Sequence, residues 1–231
     1  MSERAMNGRA MNGRAMNGRA INAEDFRRLM GRWADAMAEH KQWLIELDGV
    51  VGDSDLGLTM SDGFRAAADA IADSPEADVG KLAYLAGKAM AAAVPSTMGT
   101  LMASGLMQAG KALRGVEQLN AEQQAAFFRA YYEGVKARGK AELGDKTFLD
   151  AMHPAVMVLQ AQAAGPADRA RPAKLAAEAA RQAFENTKGM LAKHGRMAIR
   201  GERSRELVDP GAAVAVLLME GYAQFQLDGT E

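Results

Sequence analysis

Residues 47–60 read LDGVVGDSDLGLTM and carry three aspartates, Asp48, Asp53 and Asp55, within eight positions. Carboxylates this close to one another repel unless a cation lies between them. Oxygen ligands without a cysteine or histidine nearby suit Mg²⁺ or Ca²⁺ better than zinc. The stretch therefore predicts a site for a hard divalent cation.

The same stretch leads into a predicted helix over residues 58–71. Gly49, Gly52 and Gly57 allow the backbone to turn sharply and allow a ligand to approach the main chain. The unpaired N–H groups at the start of a helix favour an anion. A cation site next to an anion site is what a magnesium nucleotide requires.

Two simpler interpretations compete with this one. The pattern Asp53-x-Asp55-x-Gly57 imitates the start of an EF-hand, but the twelfth position, which should be Glu, is Phe64 when counted from Asp53. Counting from Asp48 gives Thr59 instead. The second interpretation is a solvated acidic turn that caps a helix, and the spacing alone leaves it open.

Composition limits the class of protein. The 231 residues include 28 Lys and Arg against 29 Asp and Glu, and this net charge of −1 argues against a general nucleic-acid binder. There is no cysteine, which excludes disulfides and thiolate metal sites. No apolar run reaches the ~18 residues of a membrane span, and the N-terminus lacks the apolar core of a signal peptide. We expect a cytoplasmic protein that does not bind membranes.

The N-terminal residues repeat the unit RAMNG from Arg4, Arg9 and Arg14. A five-residue period matches neither a helix nor a strand. We predict that residues 1–21 are a disordered repeat tail or an added segment, and that residues 22–231 form a single domain.

Apolar residues spaced by three and four predict eight amphipathic helices and no convincing strand. Asn22 and Asn120 open two of them with capping boxes, and Asp209-Pro210 opens the last. Short connections favour antiparallel neighbours in an all-α domain. The predicted helices cover approximately residues 22–47, 58–72, 77–94, 101–113, 120–138, 147–159, 173–192 and 209–225.

Four motifs occur in an order and spacing that resemble the nucleotide-binding L subunit of dihydroxyacetone kinase. The resemblance covers residues 22–226 and implies a closed barrel of eight antiparallel amphipathic helices with the nucleotide at one end. The motifs are the aspartate stretch, with LD at 47–48 and GDSDLG at 52–57, then GDKT at 144–147, GERS at 201–204 and DPGA at 209–212.

The resemblance implies a ligand set. Asp48, Asp53 and Asp55 would hold Mg²⁺, with two ions bridging the phosphates of ADP or ATP. The implied nucleotide-binding residues are Leu56, Gly57, Leu58, Thr59, Thr97, Met98, Gly139, Phe148, Arg196, Asp209, Pro210 and Gly211.

Several of these residues also have a structural interpretation. Gly139 fits a helix C-cap, and Phe148 fits a core position at helical spacing. Arg196 lies in a basic run of the kind that is usually solvated, and Asp209 is an N-cap whatever else it does.

The sequence departs from the family at three places. Leu56 replaces a common histidine, Thr59 replaces a common asparagine, and Pro95-Ser96-Thr97-Met98 replaces a Gly-Gly-x-Ser type of loop. Nucleotide affinity, the preference between ADP and ATP, and the choice among small ketoses or polyols therefore stay open.

The function implied is that of a phosphotransferase subunit with an alcohol group as acceptor. The small hydroxyketone would sit on a separate K subunit, without which this chain is expected to be inactive, and the donor is ATP or a phosphotransferase-system protein. His40, His153 and His194 form no persuasive catalytic constellation, so no catalytic residue is assigned here. A non-catalytic nucleotide-binding regulatory or adaptor module, or a plain helical interaction domain, are the alternatives.

Overall fold

A computed structural model of the chain describes residues 20–164 and 169–228. The three RAMNG units, residues 4–18, lie outside these ranges, so the predicted disorder of the tail stays a prediction. Ile21, which the sequence placed in the tail, is buried and pairs with Leu119 in a two-residue antiparallel ladder, β1 (Ile21–Asn22) with β2 (Gln118–Leu119).

The described residues are predominantly helical, which confirms the predicted helical class. A 3₁₀ segment, Arg196–Glu206, with a break at Gly201, precedes the last helix. The α-helices of the described ranges are α1 (Ala23–Glu39), α2 (Lys41–Gly49), α3 (Leu56–Ala72), α4 (Val79–Ala93), α5 (Thr97–Ala112), α6 (Ala121–Gly139), α7 (Phe148–Gln162), α8 (Ala170–Asn186) and α9 (Pro210–Asp228).

Three predicted helices differ most from the structure in their bounds. The fourth was expected from residue 101 but begins at Thr97, because Ser96 caps it by accepting from the Gly99 N–H at 3.0 Å. The first is divided at His40, whose backbone (φ −95°, ψ 12°) leaves the helical region and separates α1 from α2. The seventh was expected to reach residue 192 but ends at Asn186. There the Thr187 hydroxyl donates to the Phe184 carbonyl (2.6 Å), and Gly189 takes a positive φ of 97°. These local contacts end α8 and begin a long irregular connection.

The helices contact one another in an order that returns to its start. From α1 the contacts run through α3, α4, α5, α6, α7, α8 and α9, and α9 packs back onto α1. The short helix α2 packs against α3 and α9. None of the helices in the described ranges is long and apolar enough to cross a membrane.

The core is centred on Trp33 of α1. Its ring lies against Phe64, Phe127 and Phe128, and its indole N–H donates to the Leu218 carbonyl at 2.8 Å. Helix α9 is buried on every side, since each residue from 212 to 219 is buried. This packing fixes the start of α9, which borders the site described next.

Candidate functional site

A cavity of about 930 Å³ opens at one end of the helices. The residues that line it come from the α2–α3 loop, the start of α5, the end of α6, the turn before α7, the α8–α9 connection and the start of α9. The predicted site residues that line it are Asp48, Asp53, Asp55, Leu56, Thr97, Met98, Gly139, Phe148, Arg196, Asp209, Pro210 and Gly211.

The three remaining predicted residues do not line this cavity. Gly57 packs against α2 so closely that a Cβ atom would lie 2.1 Å from the Lys41 carbonyl oxygen. Leu58 is 45% exposed, and Thr59 is buried in the first turns of α3. Gly57 therefore brings α2 and α3 together, which in turn places the acidic loop between them.

The three aspartates meet at the mouth of the cavity. Each offers a carboxylate oxygen, and these atoms all lie within 4.8 Å of one another. Asp48 Oδ2 accepts hydrogen bonds from the backbone N–H groups of Asp55 (3.0 Å) and Leu56 (3.4 Å), which folds the loop back on itself. Gly52 packs against this carboxylate, and a Cβ atom at position 52 would lie 2.3 Å from Asp48 Oδ1 and displace it.

The electrostatics of this cluster match a cation site. Burial raises the pKa of Asp55, and the charges of Asp53 and Asp48 raise it further, against the opposing charge of Arg196. Arg196 Nη2 lies 2.5 Å from Asp53 Oδ2. A donor set of oxygen atoms alone fits Mg²⁺, and one arginine leaves the three carboxylates with excess negative charge.

Helices α3, α5, α7 and α9 all begin with residues that line the cavity, respectively Leu56, Thr97, Phe148 and Pro210. The positive ends of their dipoles therefore converge on one space. In α3 the N-cap residue Asp55 makes no side-chain capping hydrogen bond. The Leu56 N–H is already bound to Asp48 Oδ2, so the N–H groups of Gly57 and Leu58 are the ones that the first turn of α3 can offer to an anion beside the acidic cluster.

The cavity also has an apolar lining. Met98, Leu101, Val135 and Phe148 line it, and Phe148 is 2% exposed with its ring 6.2 Å from that of Tyr131. Phe148 is thus both a core residue and a wall of the cavity. A flat apolar group fits this region better than a charged one.

Gly139 is not the C-cap of α6, contrary to the structural interpretation offered from sequence. It is the last helical residue, and Lys140 takes the left-handed cap conformation with φ 56°. A Cβ atom on Gly139 would lie 3.1 Å from Leu101 Cδ2. The absence of a side chain at 139 therefore keeps this wall of the cavity open.

Asp209 is the predicted N-cap of α9 and is almost fully buried. Its Oδ2 accepts from the Ala212 N–H at 2.7 Å, and its own N–H donates to Thr187 Oγ1 at 2.9 Å. Burial raises the pKa of Asp209 to about 7, although the Ala212 N–H and the charge of Lys146 act against that shift.

Lys146 and His194, to which the sequence assigned no role, also line the cavity, and Asp145 contacts His194 from behind. Asp145 accepts from Lys193 Nζ (2.8 Å) and pairs with His194 Nε2 (3.0 Å). The Lys193 contact and a backbone N–H lower the pKa of Asp145 to about 2. The GDKT motif was the available signal, but its partners lie more than forty residues away in the chain.

The chain is similar to proteins of one known family. A family model described as the DAK2 domain matches residues 50–224. The ADP-binding subunit DhaL of the PEP-dependent dihydroxyacetone kinase from Escherichia coli (strain K12) is 30% identical over 192 residues, which cover 83% of this chain and 91% of that protein. The corresponding subunit of kinase 1 from Listeria innocua is 29% identical and covers 87% of this chain and 95% of that protein.

Longer relatives share the same region. The L-erythrulose 1-kinase of Mycolicibacterium smegmatis is 34% identical over 194 residues, and this chain spans 33% of its length. Among solved structures, the dihydroxyacetone kinase from C. freundii in complex with AMP-PNP and Mg²⁺ aligns with a TM-score of 0.66 and 23% identity. The alignment covers 97% of this chain and 38% of that one, and it supports the fold.

Proposed function

We propose a function for this chain from the premise that it belongs to the DAK2 domain family. The chain binds an adenine nucleotide with two Mg²⁺ ions and transfers its terminal phosphoryl group to a small hydroxyketone held by a separate K-type subunit. In this proposal it is a kinase subunit that is inactive without that partner.

The observation that carries the proposal is the meeting of three aspartates and several helix N-termini at one cavity. The cavity volume of about 930 Å³ falls within the range of small-molecule sites. Asp48, Asp53 and Asp55 would hold the metal, and the first turn of α3 would contact phosphate oxygens. Mg²⁺, when bound, neutralises the phosphates and the charge that develops during transfer.

The other residues of the cavity orient the nucleotide. Arg196 lies at the acidic cluster and would turn to a phosphate once the metal compensates Asp53. Leu101, Val135 and Phe148 form an apolar surface that suits the base. Catalysis by this chain would consist of positioning and charge stabilisation, the main terms in phosphoryl transfer.

The contacts between helices support an eight-helix antiparallel barrel. The order of contacts closes from α9 to α1, with α2 as a short addition. The starts of α3, α5, α7 and α9 and the end of α6 border the same cavity, as alternating directions require. In such an arrangement the nucleotide lies at one mouth of the barrel.

Relatives suggest the donor and the acceptor. DhaL proteins are named as ADP-binding subunits of PEP-dependent or PTS-dependent dihydroxyacetone kinases, so we propose a phosphotransferase-system protein as donor to bound ADP. ATP exchange is the alternative donor. Erythrulose kinases among the relatives extend the proposed acceptors to small ketoses, with dihydroxyacetone as the first to test.

Thermal unfolding with Mg²⁺ and ADP tests the site. Ligand at 100 to 1,000 times Kd should stabilise the protein by about 3–4 kcal/mol. Asp53→Ala should abolish this effect and leave the ligand-free protein folded, whereas the control Asp69→Ala, at an exposed position of α3, should retain it. A retained effect in Asp53→Ala would refute the metal assignment.

Reconstitution tests the reaction. The chain is mixed with a K-type subunit, dihydroxyacetone, Mg²⁺ and either ATP or a phosphoenolpyruvate relay. Phosphorylated ketose in one of the two mixtures is the expected result. Nucleotide binding without product in either mixture would refute the kinase proposal and favour a regulatory module.

A further inference from the structure

Lys146 is a buried lysine whose ammonium group binds one segment of the chain at several points. The residue is 1% exposed. Its Nζ donates to the carbonyl oxygens of Ser204 (2.5 Å), Leu207 (2.5 Å) and Met190 (3.3 Å). All three N–H donors of the ammonium group are used by these contacts. The acceptors all lie in the α8–α9 connection, residues 187–209.

The position of Lys146 is energetically unfavourable in two ways. Burial of the ammonium group lowers the pKa of Lys146, against the opposing effect of the Asp209 carboxylate. The backbone takes a positive φ of 63°, which residues with a Cβ atom rarely adopt. Such features persist where the surrounding contacts impose them, and they concentrate at functional sites.

Asp145 binds the same connection from the adjacent position. Its carbonyl oxygen accepts from the Lys193 N–H at 3.1 Å, and its carboxylate binds the side chains of Lys193 and His194. These contacts lie two and three residues before Arg196 in the chain. The turn that carries Asp145 and Lys146 thus holds the connection on both sides of Arg196.

Apolar packing contributes little to holding this connection. Its buried apolar residues, Ala192 and Met197, form with Val51 a small cluster that is separate from the main core. Within the connection, Ser204 Oγ accepts from the Ala192 N–H at 3.1 Å. The conformation of residues 190–207 therefore depends mainly on hydrogen bonds, and Lys146 makes three of them.

We propose that Lys146 is a positioning residue for nucleotide binding, which fixes residues 190–207 so that Arg196 stays at the acidic cluster. This inference rests on the proposed function, in which Arg196 contacts a phosphate. Lys146 acts through Arg196, since its own ammonium protons are all bound to carbonyl oxygens. Its contribution to nucleotide affinity should disappear when Arg196 is removed.

A double-mutant cycle on the full chain tests this dependence. Affinity for ADP with Mg²⁺ is measured by calorimetry for the wild type, Lys146→Met, Arg196→Ala and the double variant. Lys146→Met should lower affinity by about 10- to 100-fold, the range for residues that orient a ligand-binding group. In the Arg196→Ala background the same change should have almost no further effect. Equal losses in both backgrounds, or no loss in either, would overturn the inference.

Lys188→Met is the matched control, because Lys188 is an exposed lysine of the same connection. It should bind ADP as the wild type does, and a loss as large as that of Lys146→Met would overturn the assignment to Lys146. If Lys146→Met does not fold, the cycle is repeated with Lys146→Arg, and the same two outcomes decide.

Hydrogen exchange without nucleotide separates this inference from the proposed function. Lys146→Met should speed amide exchange across residues 190–207 and leave the amides of α1 and α9 unchanged. Unchanged exchange in the connection would overturn the inference whatever the ligand. A wild-type protein that fails to bind ADP with Mg²⁺ would refute the proposed function and leave the exchange result to decide the anchoring role.

Discussion

The two segments that meet at the mouth of the cavity are built in opposite ways. The acidic loop between α2 and α3 is short and is held by its own residues, with Asp48 accepting from the backbone of Asp55. The α8–α9 connection is long and is held by Asp145 and Lys146, which are distant in the chain. The sequence indicated the acidic loop, but it did not indicate the contacts that hold the connection.

The pKa values of one aspartate at each segment are shifted in opposite directions by their surroundings. The pKa of Asp55 is raised by burial and by two neighbouring aspartates, so its loop lacks positive charge. The pKa of Asp145 is lowered to about 2 mainly by Lys193 and a backbone N–H. The acidic loop therefore keeps an excess of negative charge, whereas the charge of Asp145 at the connection is compensated by the protein itself.

The largest effect is expected at the end of the connection, where Asp209 is buried. Its folded pKa of about 7 lies above the unfolded value of about 3.9, so the folded state binds the additional proton between these values. Stability of the ligand-free protein should fall as pH rises from 4 to 7, by up to about 4 kcal/mol at about 1.4 kcal/mol per unit. Urea unfolding at several pH values measures this.

Asp209→Asn isolates that contribution, because asparagine also caps helices but carries no charge. The free energy of unfolding of the variant should increase relative to that of the wild type as pH rises from 4 to 7. A constant difference between the two proteins from pH 4 to pH 7 would contradict a buried, titrating Asp209.

A substitution in the acidic loop should lower nucleotide affinity more than it lowers the free energy of unfolding. Gly52→Ala places a Cβ atom where it would lie 2.3 Å from Asp48 Oδ1, so the carboxylate must move out of the cluster. Affinity for ADP with Mg²⁺ should fall by about 10- to 100-fold. Calorimetry measures the loss, and denaturant unfolding without ligand should change much less.

Gly31→Ala is the control for this substitution. A Cβ atom at Gly31 meets no heavy atom within 4 Å outside its own helix and chain neighbours, so alanine there should stabilise α1 by about 0.5–1 kcal/mol and leave binding unchanged. If Gly52→Ala bound the nucleotide as tightly as Gly31→Ala, the placement of Asp48 would not depend on Gly52.

The sequence predicted the features that depend on residues close together in the chain. Helical periodicity predicted the helical class, and the capping boxes at Asn22 and Asn120 are present in the structure. The aspartates were predicted to cluster, and their oxygens do meet. Local spacing was sufficient in each case, because every contact involved lies within about two helical turns of the chain.

The features that the sequence missed have several causes. The end of α8 at Asn186 was overlooked because apolar residues at helical spacing continue to Met190, whereas Thr187 leaves the helix and accepts a hydrogen bond from the Asp209 N–H. The GDKT motif did not indicate the burial of Lys146, since a lysine is normally exposed. The left-handed cap at Lys140 was assigned to Gly139 because glycine is the usual residue at such a cap.

The smallest effect is expected for Asp145→Asn, which tests whether the connection is compensated as its contacts indicate. The folded pKa of Asp145, about 2, lies below the unfolded value of about 3.9. Its stabilising contribution is therefore complete above pH 4 and is lost as pH falls toward 2. The partners Lys193 and His194 are substantially exposed, so the difference between wild type and variant above pH 4 should be about 1 kcal/mol.

Urea midpoints measured between pH 2 and pH 6 should show that the difference in stability between the wild type and Asp145→Asn becomes smaller as pH falls. The control Asp69→Asn, at an exposed position of α3, should match the wild type throughout. A gap between wild type and Asp145→Asn that persists unchanged to pH 2 would mean that the contacts of Asp145 are not charge-dependent. Lys146 would then be the charged side chain that distinguishes the connection from the acidic loop.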